Sequence, residues 1–314
     1  MTPKQIFIAG DWGTSNLRLY LCQYLHSKTS KVLDIRFGPG IKQIDSAFEE
    51  KFFNLTQEWF DKYGALPVLL SGMVGSTNGW KETPYGSCPT NFSQIVNSRL
   101  SFVARGIEFS ILAVLKTKNP LGNPDVMRGE ELQILGWMQL NDYDQTHRLF
   151  ALPGTHTKWA TTKDGKINEF LTAFTGELFG LLRHGSTLIT DNNTVDFNQN
   201  AFFSGVRSME QLDDVNLIHT LFATRSKQVL GEIPSSDGWS YLAGLIVTAD
   251  IMGAIKIFGK PQSTTLIGES KLTEQYALVL NYLGISAELC DPAEIAVAGF
   301  DALYKSLYIE SAEV

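Results

Sequence analysis

Residues 5–18 decide the fold because they form a strand, a tight turn and the start of a second strand: Gln-Ile-Phe-Ile-Ala-Gly-Asp-Trp-Gly-Thr-Ser-Asn-Leu-Arg. A similar stretch follows at 148–158, Arg-Leu-Phe-Ala-Leu-Pro-Gly-Thr-His-Thr-Lys. Glycine lets a ligand approach the main chain, and turn amides with Ser and Thr hydroxyls bind anions. The two turns, Gly13-Thr14-Ser15-Asn16 and Gly154-Thr155-His156-Thr157, therefore predict a phosphate chain that is held from two sides.

Strand and helix patterns occur twice in the same order along the chain. The first half has predicted strands at 5–10, 17–24, 31–37, 67–70 and 109–115, helices at 46–62 and 128–140, and a loop at 76–92. The second half has predicted strands at 148–152, 158–162, 166–171, 264–267 and 287–290, with helices from about 176 to 252 and at 270–283 and 292–307. These patterns predict a duplicated α/β fold with domains at 1–145 and 146–314. We expect a hinge at 141–147 and a last helix that packs back toward the first domain.

Composition excludes several classes of function. The formal net charge of −7 argues against nucleic-acid and anionic-membrane binding. The three cysteines, Cys22, Cys88 and Cys290, lack metal-ligand spacing and are typical of a reducing compartment. No charged n-region precedes an apolar segment at the N-terminus, so we expect a cytoplasmic protein. The longest apolar stretch, 241–258, is interrupted by Asp250 and Lys256 and is typical of a buried helix.

The motifs of both halves resemble one enzyme family. They are Asp-Trp-Gly-Thr-Ser-Asn-Leu-Arg at 11–18, Ser-Gly-Met-Val-Gly-Ser at 71–76, Val-Met-Arg-Gly-Glu-Glu-Leu-Gln at 126–133, Leu-Pro-Gly-Thr-His-Thr-Lys-Trp at 152–159 and Thr-Gly-Glu-Leu-Phe at 175–179. The chain resembles the 2-dehydro-3-deoxygalactonokinases of the actin, Hsp70 and sugar-kinase superfamily. This resemblance implies duplicated ribonuclease H-like domains with a cleft between them, and transfer of phosphate from ATP to the 6-hydroxyl of 2-dehydro-3-deoxy-D-galactonate in galactonate catabolism.

The resemblance also assigns the nucleotide. ATP with Mg²⁺ would be held by the first turn, with Asp11 as the magnesium ligand. Its phosphates would contact Gly13, Thr14, Ser15, Asn16, Gly154, Thr155, His156, Thr157 and Lys158. Lys158 could equally be solvated. The adenosine would lie against Gly244 and Gly268, although Gly244 would also suit close helix packing.

Phosphorylation of a hydroxyl needs a group that accepts its proton. The segment 128–131 resembles the Ser-Gly-x-Glu-Glu motif of exopolyphosphatases, which makes Glu131 the predicted base, with Glu130 in reserve. Asp11 is a competing candidate, because many sugar kinases of this superfamily use an aspartate.

The substrate is a sugar acid, so its site needs a carboxylate clamp and hydroxyl contacts. Arg18 and Arg128 are candidates for the clamp, and Arg18 would equally suit a surface salt bridge. The predicted sugar site further comprises Met73, Gly75, Ser76, Trp80, Tyr85, Thr175 and Gly176. Trp80 and Tyr85 would be either pocket walls or residues that anchor the loop.

Two other functions fit the same motifs. One is a phosphohydrolase of the same superfamily that acts on polyphosphate or nucleotides, and the other is a nucleotide-dependent regulatory protein. As partners we expect a small-molecule substrate, no nucleic acid and no membrane, with a homodimer left open.

Overall fold

The structure is a computed structural model that describes residues 5–26, 29–142, 146–190, 196–210 and 217–310. Its strands are β1 (Ile6–Trp12), β2 (Asn16–Gln23), β3 (Lys31–Pro39), β4 (Val68–Gly72), β5 (Tyr85–Ser87), β6 (Thr90–Asn91), β7 (Leu100–Ala104), β8 (Ile107–Ile111), β9 (Val114–Lys118), β10 (Pro124–Met127), β11 (Arg148–Leu152), β12 (Thr157–Lys163), β13 (Lys166–Ala173), β14 (Ser263–Ile267) and β15 (Ser286–Cys290).

The helices are α1 (Phe48–Tyr63), α2 (Phe92–Asn97), α3 (Glu130–Leu140), α4 (Thr175–Gly185), α5 (Gln199–Glu210), α6 (Leu217–Thr220), α7 (Ala223–Val229), α8 (Gly238–Phe258), α9 (Ser270–Tyr282) and α10 (Pro292–Tyr304). Three short 3₁₀ helices lie at Ile41–Gln43, Met73–Gly75 and Ser235–Asp237. A π-helical turn, Lys305–Ile309, follows α10. The expected hinge at 141–147 includes residues 143–145, which lie outside the described part of the chain.

Five strands of the two large sheets follow the same order. They are β3-β2-β1-β4-β8 in the first sheet, in which β7 comes next to β8, and β13-β12-β11-β14-β15 in the second, in which β6 pairs with β13 at the opposite edge. In each, three consecutive strands lead into parallel pairs, β1 with β4 and β4 with β8 in one, β11 with β14 and β14 with β15 in the other. This duplication confirms the predicted α/β fold class.

The chain forms two compact units. Of the described residues, unit 1 contains those up to His147, 160–170 and those from Asp291 onward, and unit 2 contains 148–159 and 171–290. The last helix, α10, therefore lies in unit 1, where it packs on α3. A methyl group at Gly136 would meet the Ile295 carbonyl oxygen at 1.9 Å, so the two helix backbones touch.

The core of unit 1 is built from β1, β2, β4 and α1, and its largest buried side chains include Trp12, Phe52 and Phe109. Burying a side chain of this size contributes about 1.5–3 kcal/mol. In unit 2, α8 has the length and hydropathy of a membrane span. Most of its residues are nevertheless buried in the unit, where they pack against α5 and α9, so α8 is a core helix as the sequence predicts.

Three local predictions were wrong. The single strand predicted at 109–115 is two strands in different sheets, β8 and β9. The predicted loop at 76–92 contains the short strands β5 and β6, and α2, β7 and β10 follow where no element was predicted.

Candidate active site

The first turn, in unit 1, is fixed by hydrogen bonds that its main-chain carbonyl oxygens accept from residues 40–42. Those of Gly13, Thr14 and Ser15 accept hydrogen bonds from the amides of residues 41, 42 and 40, at 3.1, 3.2 and 3.2 Å. A side chain at Gly40 would lie 2.4 Å from the Thr14 oxygen, so only glycine fits there. The amides of Thr14 and Ser15 donate to no residue in the described part of the chain. The turn therefore offers two amides to an anion.

Asp11 lies at the end of β1, directly before this turn. Its strand neighbours are Arg18 on β2 and Ser71 on β4. Gly72 has φ +96, and a side chain there would lie 3.2 Å from Asp11 Oδ1, so glycine keeps space beside the carboxylate. Burial raises the pKa of Asp11 to about 6, the charge of Arg18 lowers it, and that of Glu130 raises it.

Glu131 is wholly enclosed at the start of α3. Its Oε2 accepts from the Gly129 amide at 2.7 Å, and its Oε1 accepts from the Ser71 hydroxyl at 3.4 Å. The residue is 0% exposed, and burial raises its pKa to about 8. A general base must be reached by the substrate and must be deprotonated. In this structure the Glu131 side chain meets neither condition and ties α3 to β4. Its role as the base stays a prediction.

Glu130, the residue held in reserve, is partly exposed. Its Oε2 accepts from the Arg128 amide at 3.0 Å, and its charge acts on Asp11. Asp11 and Glu130 are thus two reachable carboxylates that lie close enough to influence each other.

Arg128 and Tyr85, two predicted substrate residues, are in direct contact. Arg128 Nη2 donates to Tyr85 Oη at 2.6 Å, and the guanidinium carbon lies 5.6 Å from the ring centroid. The Nε of Arg128 is buried and donates to none of the described residues. Arg18 faces Asp11 across the β1–β2 hairpin. Arg128 thus contacts Glu130 through its main-chain amide and Tyr85 through its guanidinium.

The loop after β4 packs differently from the predicted sugar site. Trp80 contacts the rings of Phe109, at 4.9 Å, and Phe102, at 5.3 Å, so it anchors the loop in the core. Met73 packs against the same core. Gly75 and Ser76 are buried, and a side chain at Gly75 would meet Thr83. Of the two alternatives for Trp80, the structure shows the one in which it anchors the loop. Met73 packs in the same way, and its contact with the sugar stays a prediction.

Unit 2 contains a cavity of about 390 Å³ beside the second turn. One end is formed by Gly154 and Thr155 of the turn and by Thr175 and Gly176, which begin α4. A side chain at Gly176 would lie 2.1 Å from the Gly154 carbonyl oxygen, so glycine lets the helix start touch the turn. The amides of a helix N-terminus attract anions. Thr175 and Gly176, predicted as sugar contacts, therefore belong to the end of this cavity that suits phosphate.

The other end of the cavity is largely apolar. Its walls come from α4, α8 and α9: Phe179, Trp239, Ala243, Ile246, Val247, Leu272 and Tyr276. Polar groups at its rim come from Glu269, Lys271 and Gln275. An aromatic and aliphatic slot with a few polar groups is typical of a site for a planar base. Most of these wall residues lack a sequence motif, since they become neighbours only when the three helices pack.

Four predicted nucleotide residues have other contacts. A side chain at Gly244 would lie 2.0 Å from the Phe202 carbonyl oxygen, so Gly244 packs α8 against α5. Gly268 packs against the Pro153 carbonyl. The Lys158 ammonium donates to Thr172 at 2.7 Å, and strand alternation directs it to the face opposite Thr157. Gly244, Gly268 and Lys158 do not line the cavity. His156 is partly exposed and pairs with Glu177 at 2.7 Å.

Known proteins similar to this chain indicate its family. Residues 11–303 match the family described as 2-keto-3-deoxy-galactonokinase. The 2-dehydro-3-deoxygalactonokinase of Escherichia coli strain K12 is 31% identical over 291 residues, which is 92% of each chain. The crystal structure of a putative 2-dehydro-3-deoxygalactonokinase from Sinorhizobium meliloti has 27% identity, covers 96% of this chain and 99% of its own, and superposes with a TM-score of 0.83.

A more distant structure supports the fold alone. It is the activator of 2-hydroxyisocaproyl-CoA dehydratase from Clostridium difficile, with 10% identity, 98% coverage of both chains and a TM-score of 0.52. The close matches span nearly the whole sequence and include the turn at 11–16 and the helix start at 128–131. The chain therefore belongs to the 2-keto-3-deoxy-galactonokinase family.

Proposed function

We propose that this kinase transfers the γ-phosphoryl group of ATP to the 6-hydroxyl of 2-keto-3-deoxygalactonate in galactonate catabolism. Family membership supplies the reaction and the sugar acid. The observation that carries our assignment of residues is the grouping of Asp11, Glu130 and Arg128 at the ends of β1 and α3. In this group, Asp11 suits the metal ion and Glu130 suits the proton of the substrate hydroxyl. The guanidinium of Arg128 suits the substrate carboxylate.

The nucleotide occupies the cavity of unit 2 in this proposal. Its 390 Å³ lies within the roughly 300–1,000 Å³ of small-molecule sites. The adenine lies at the apolar end beside Trp239, and the phosphates lie at the end formed by the second turn and the start of α4. Gly154, Thr155 and Gly176 contact them through main-chain amides.

Asp11 fits a magnesium ion that is bound mainly by ATP. Mg²⁺ in kinases is bound by one or two carboxylates together with water and phosphate oxygens. No group of three or more acidic, His or Cys side chains that could form a metal cage occurs in the described ranges, and Asp11 is a single carboxylate beside amides suited to phosphate. When bound, the ion would neutralise developing charge on the phosphates.

Glu130 accepts the proton of the substrate hydroxyl in this proposal. It is partly exposed, it begins α3, and its neighbour Arg128 is suited to the substrate carboxylate. Tyr85, which accepts from Arg128, orients the guanidinium. Glu131 fixes the start of α3 from within, so that Glu130 and Arg128 keep their positions.

We place the enzyme in the cytoplasm, with its small substrates as partners and without nucleic acid or membrane. The net charge of −7 and the core position of α8 support this proposal. Light scattering of the purified protein would distinguish a monomer of 34.9 kDa from a homodimer of twice that mass.

An assay of ADP release tests the substrate. Purified protein with Mg·ATP is given 2-keto-3-deoxygalactonate, and 2-keto-3-deoxygluconate serves as the matched control that differs at one hydroxyl. We expect a higher kcat/KM for the galacto compound. Absence of turnover with both acids would overturn the proposal.

A further inference from the structure

Asp250 on α8 joins three other elements of unit 2. Its Oδ1 accepts from Trp159 Nε1 on β12 at 2.8 Å. Its Oδ2 accepts from the hydroxyl of Thr175, the first residue of α4, at 2.7 Å, and from the hydroxyl of Tyr276 on α9. Burial raises the pKa of Asp250, and these hydrogen bonds oppose the rise. No motif in the sequence marks this carboxylate.

The network extends to the second turn through one more hydroxyl. Thr157 Oγ1 lies 2.8 Å from Tyr276 Oη. Tyrosine has a single hydroxyl proton, and Tyr276 gives it to Asp250, so Thr157 is the donor to Tyr276. Both threonine hydroxyls, those of Thr157 and Thr175, are thereby directed into the network. At this end the cavity is left with the main-chain amides of the turn and of the helix start, together with the side chain of Thr155.

We propose that Asp250 is a positioning residue for the nucleotide, holding the second turn, the start of α4 and the α9 wall of the cavity in one geometry. This inference rests on the proposed function of the cavity as the ATP site. Three of the residues that it links, Thr157, Thr175 and Tyr276, line the cavity. Because these three elements are fixed before the nucleotide binds, binding requires a smaller loss of conformational entropy.

The chain offers a matched control within the same network. Trp159 bonds the opposite carboxylate oxygen and does not line the cavity. Trp159→Phe removes one hydrogen bond to Asp250 but leaves the link among Thr157, Thr175 and Tyr276. Asp250→Asn keeps the shape of the side chain and replaces an accepting oxygen by a donor. Tyr276→Phe keeps the ring wall and removes the hydroxyl that joins Thr157 to Asp250.

The test measures the Kd for ADP by calorimetry, the KM for ATP and for the sugar acid, and thermal unfolding, all on the full chain. Asp250→Asn and Tyr276→Phe are expected to raise the Kd for ADP and the KM for ATP about tenfold, the equivalent of roughly one hydrogen bond. The KM for the sugar acid should stay within about twofold of the unmodified value. Trp159→Phe should lower thermal stability and leave the Kd for ADP within about twofold.

A purely structural role predicts something different. In that case the Kd for ADP would either stay unchanged in Asp250→Asn and Tyr276→Phe or change in parallel with thermal stability in all three variants, and the inference would be wrong. If Asp250→Asn does not fold, Tyr276→Phe decides alone. Failure of the unmodified protein to bind ADP or ATP would instead overturn the proposed function, and this inference with it.

Discussion

Asp11, Glu130 and Glu131 lie within one small region of unit 1, yet their surroundings give them different properties. Glu131 is enclosed because α3 begins at Glu130, and Gly129, with φ +105, turns the chain so that the second glutamate faces the core. The sequence identifies the acidic segment at 128–131 as a candidate. It does not identify which glutamate is reachable, because that depends on the residue at which the helix starts.

Replacing each of the two reachable carboxylates by its amide should separate their roles. Asp11→Asn is expected to raise the Mg²⁺ concentration needed for half-maximal activity at least about tenfold, because a metal ligand loses its charge. Glu130→Gln should lower kcat by about 10²–10⁴-fold, as loss of a general base does, with the KM for ATP little changed. Steady-state kinetics at varied Mg²⁺ measures both effects. The opposite pattern would show that the two roles are reversed.

The pH dependence of activity follows from Asp11. In the proposed function its carboxylate binds Mg²⁺ when it is deprotonated, and its pKa is raised to about 6. Activity at limiting Mg²⁺ should therefore fall as the pH drops through about 6 and recover when more Mg²⁺ is added, since metal and proton compete. Rates measured from pH 5 to 8 at two Mg²⁺ concentrations check this. If the pH dependence of the rate were the same at both Mg²⁺ concentrations, Asp11 would not be the metal ligand.

Glu131 should make the protein less stable as the pH rises, whereas a carboxylate with a lowered pKa makes a protein more stable. Its pKa is raised from 4.5 to about 8 in the folded protein, so the native state holds a proton that the unfolded chain has released. The contribution of Glu131 to the free energy of unfolding is therefore largest below about pH 4.5 and falls as the pH rises toward 8. Glu131→Gln, which is always neutral, should remove that fall and keep most of the activity.

Urea unfolding of both proteins at pH 5.5 and about 8.5 measures this difference. The unmodified protein should lose more stability between the two pH values than the glutamine variant does. Equal losses would mean that Glu131 is ionised in the native state. A large loss of kcat in Glu131→Gln would restore it as a candidate base.

At the scale of elements, periodicity predicts strands well where the chain turns with glycine. The three strands β1 to β3 follow from alternation and from the turn at 13–16. The boundary between β8 and β9 has no such signal, because residues 111–114 are all apolar and the chain changes sheets without a turn residue. Helix α2 could have been found, since Asn91 and Gln94 form a capping box at its start.

Close helix packing makes a separate prediction about α8. Gly244→Ala would place a methyl group 2.0 Å from the Phe202 carbonyl oxygen and should destabilise the fold by about 1–3 kcal/mol. Gly253→Ala lies in the same helix with no atom within 4 Å, and should be neutral or stabilising by up to about 1 kcal/mol. Thermal unfolding of both variants checks this, and equal effects would contradict the α5–α8 contact.

At the scale of the whole molecule, two copies of one strand order support two different tasks. Unit 1 contains the acidic pair and Arg128, and unit 2 contains the cavity that we propose for the nucleotide. The duplication can be read from the sequence because each copy begins with a Gly-Thr turn after a buried strand. The division of the chain into units follows contacts between distant segments, such as α10 on α3, which local patterns do not encode.

In the proposed reaction, phosphate passes from ATP to the sugar acid and not to water. Phosphorus NMR of a reaction containing the protein, Mg·ATP and 2-keto-3-deoxygalactonate measures this directly. We expect ADP together with a phosphate monoester coupled to the two protons on carbon 6. Inorganic phosphate formed at the same rate with and without the sugar acid would contradict it, and would identify the chain as a phosphohydrolase.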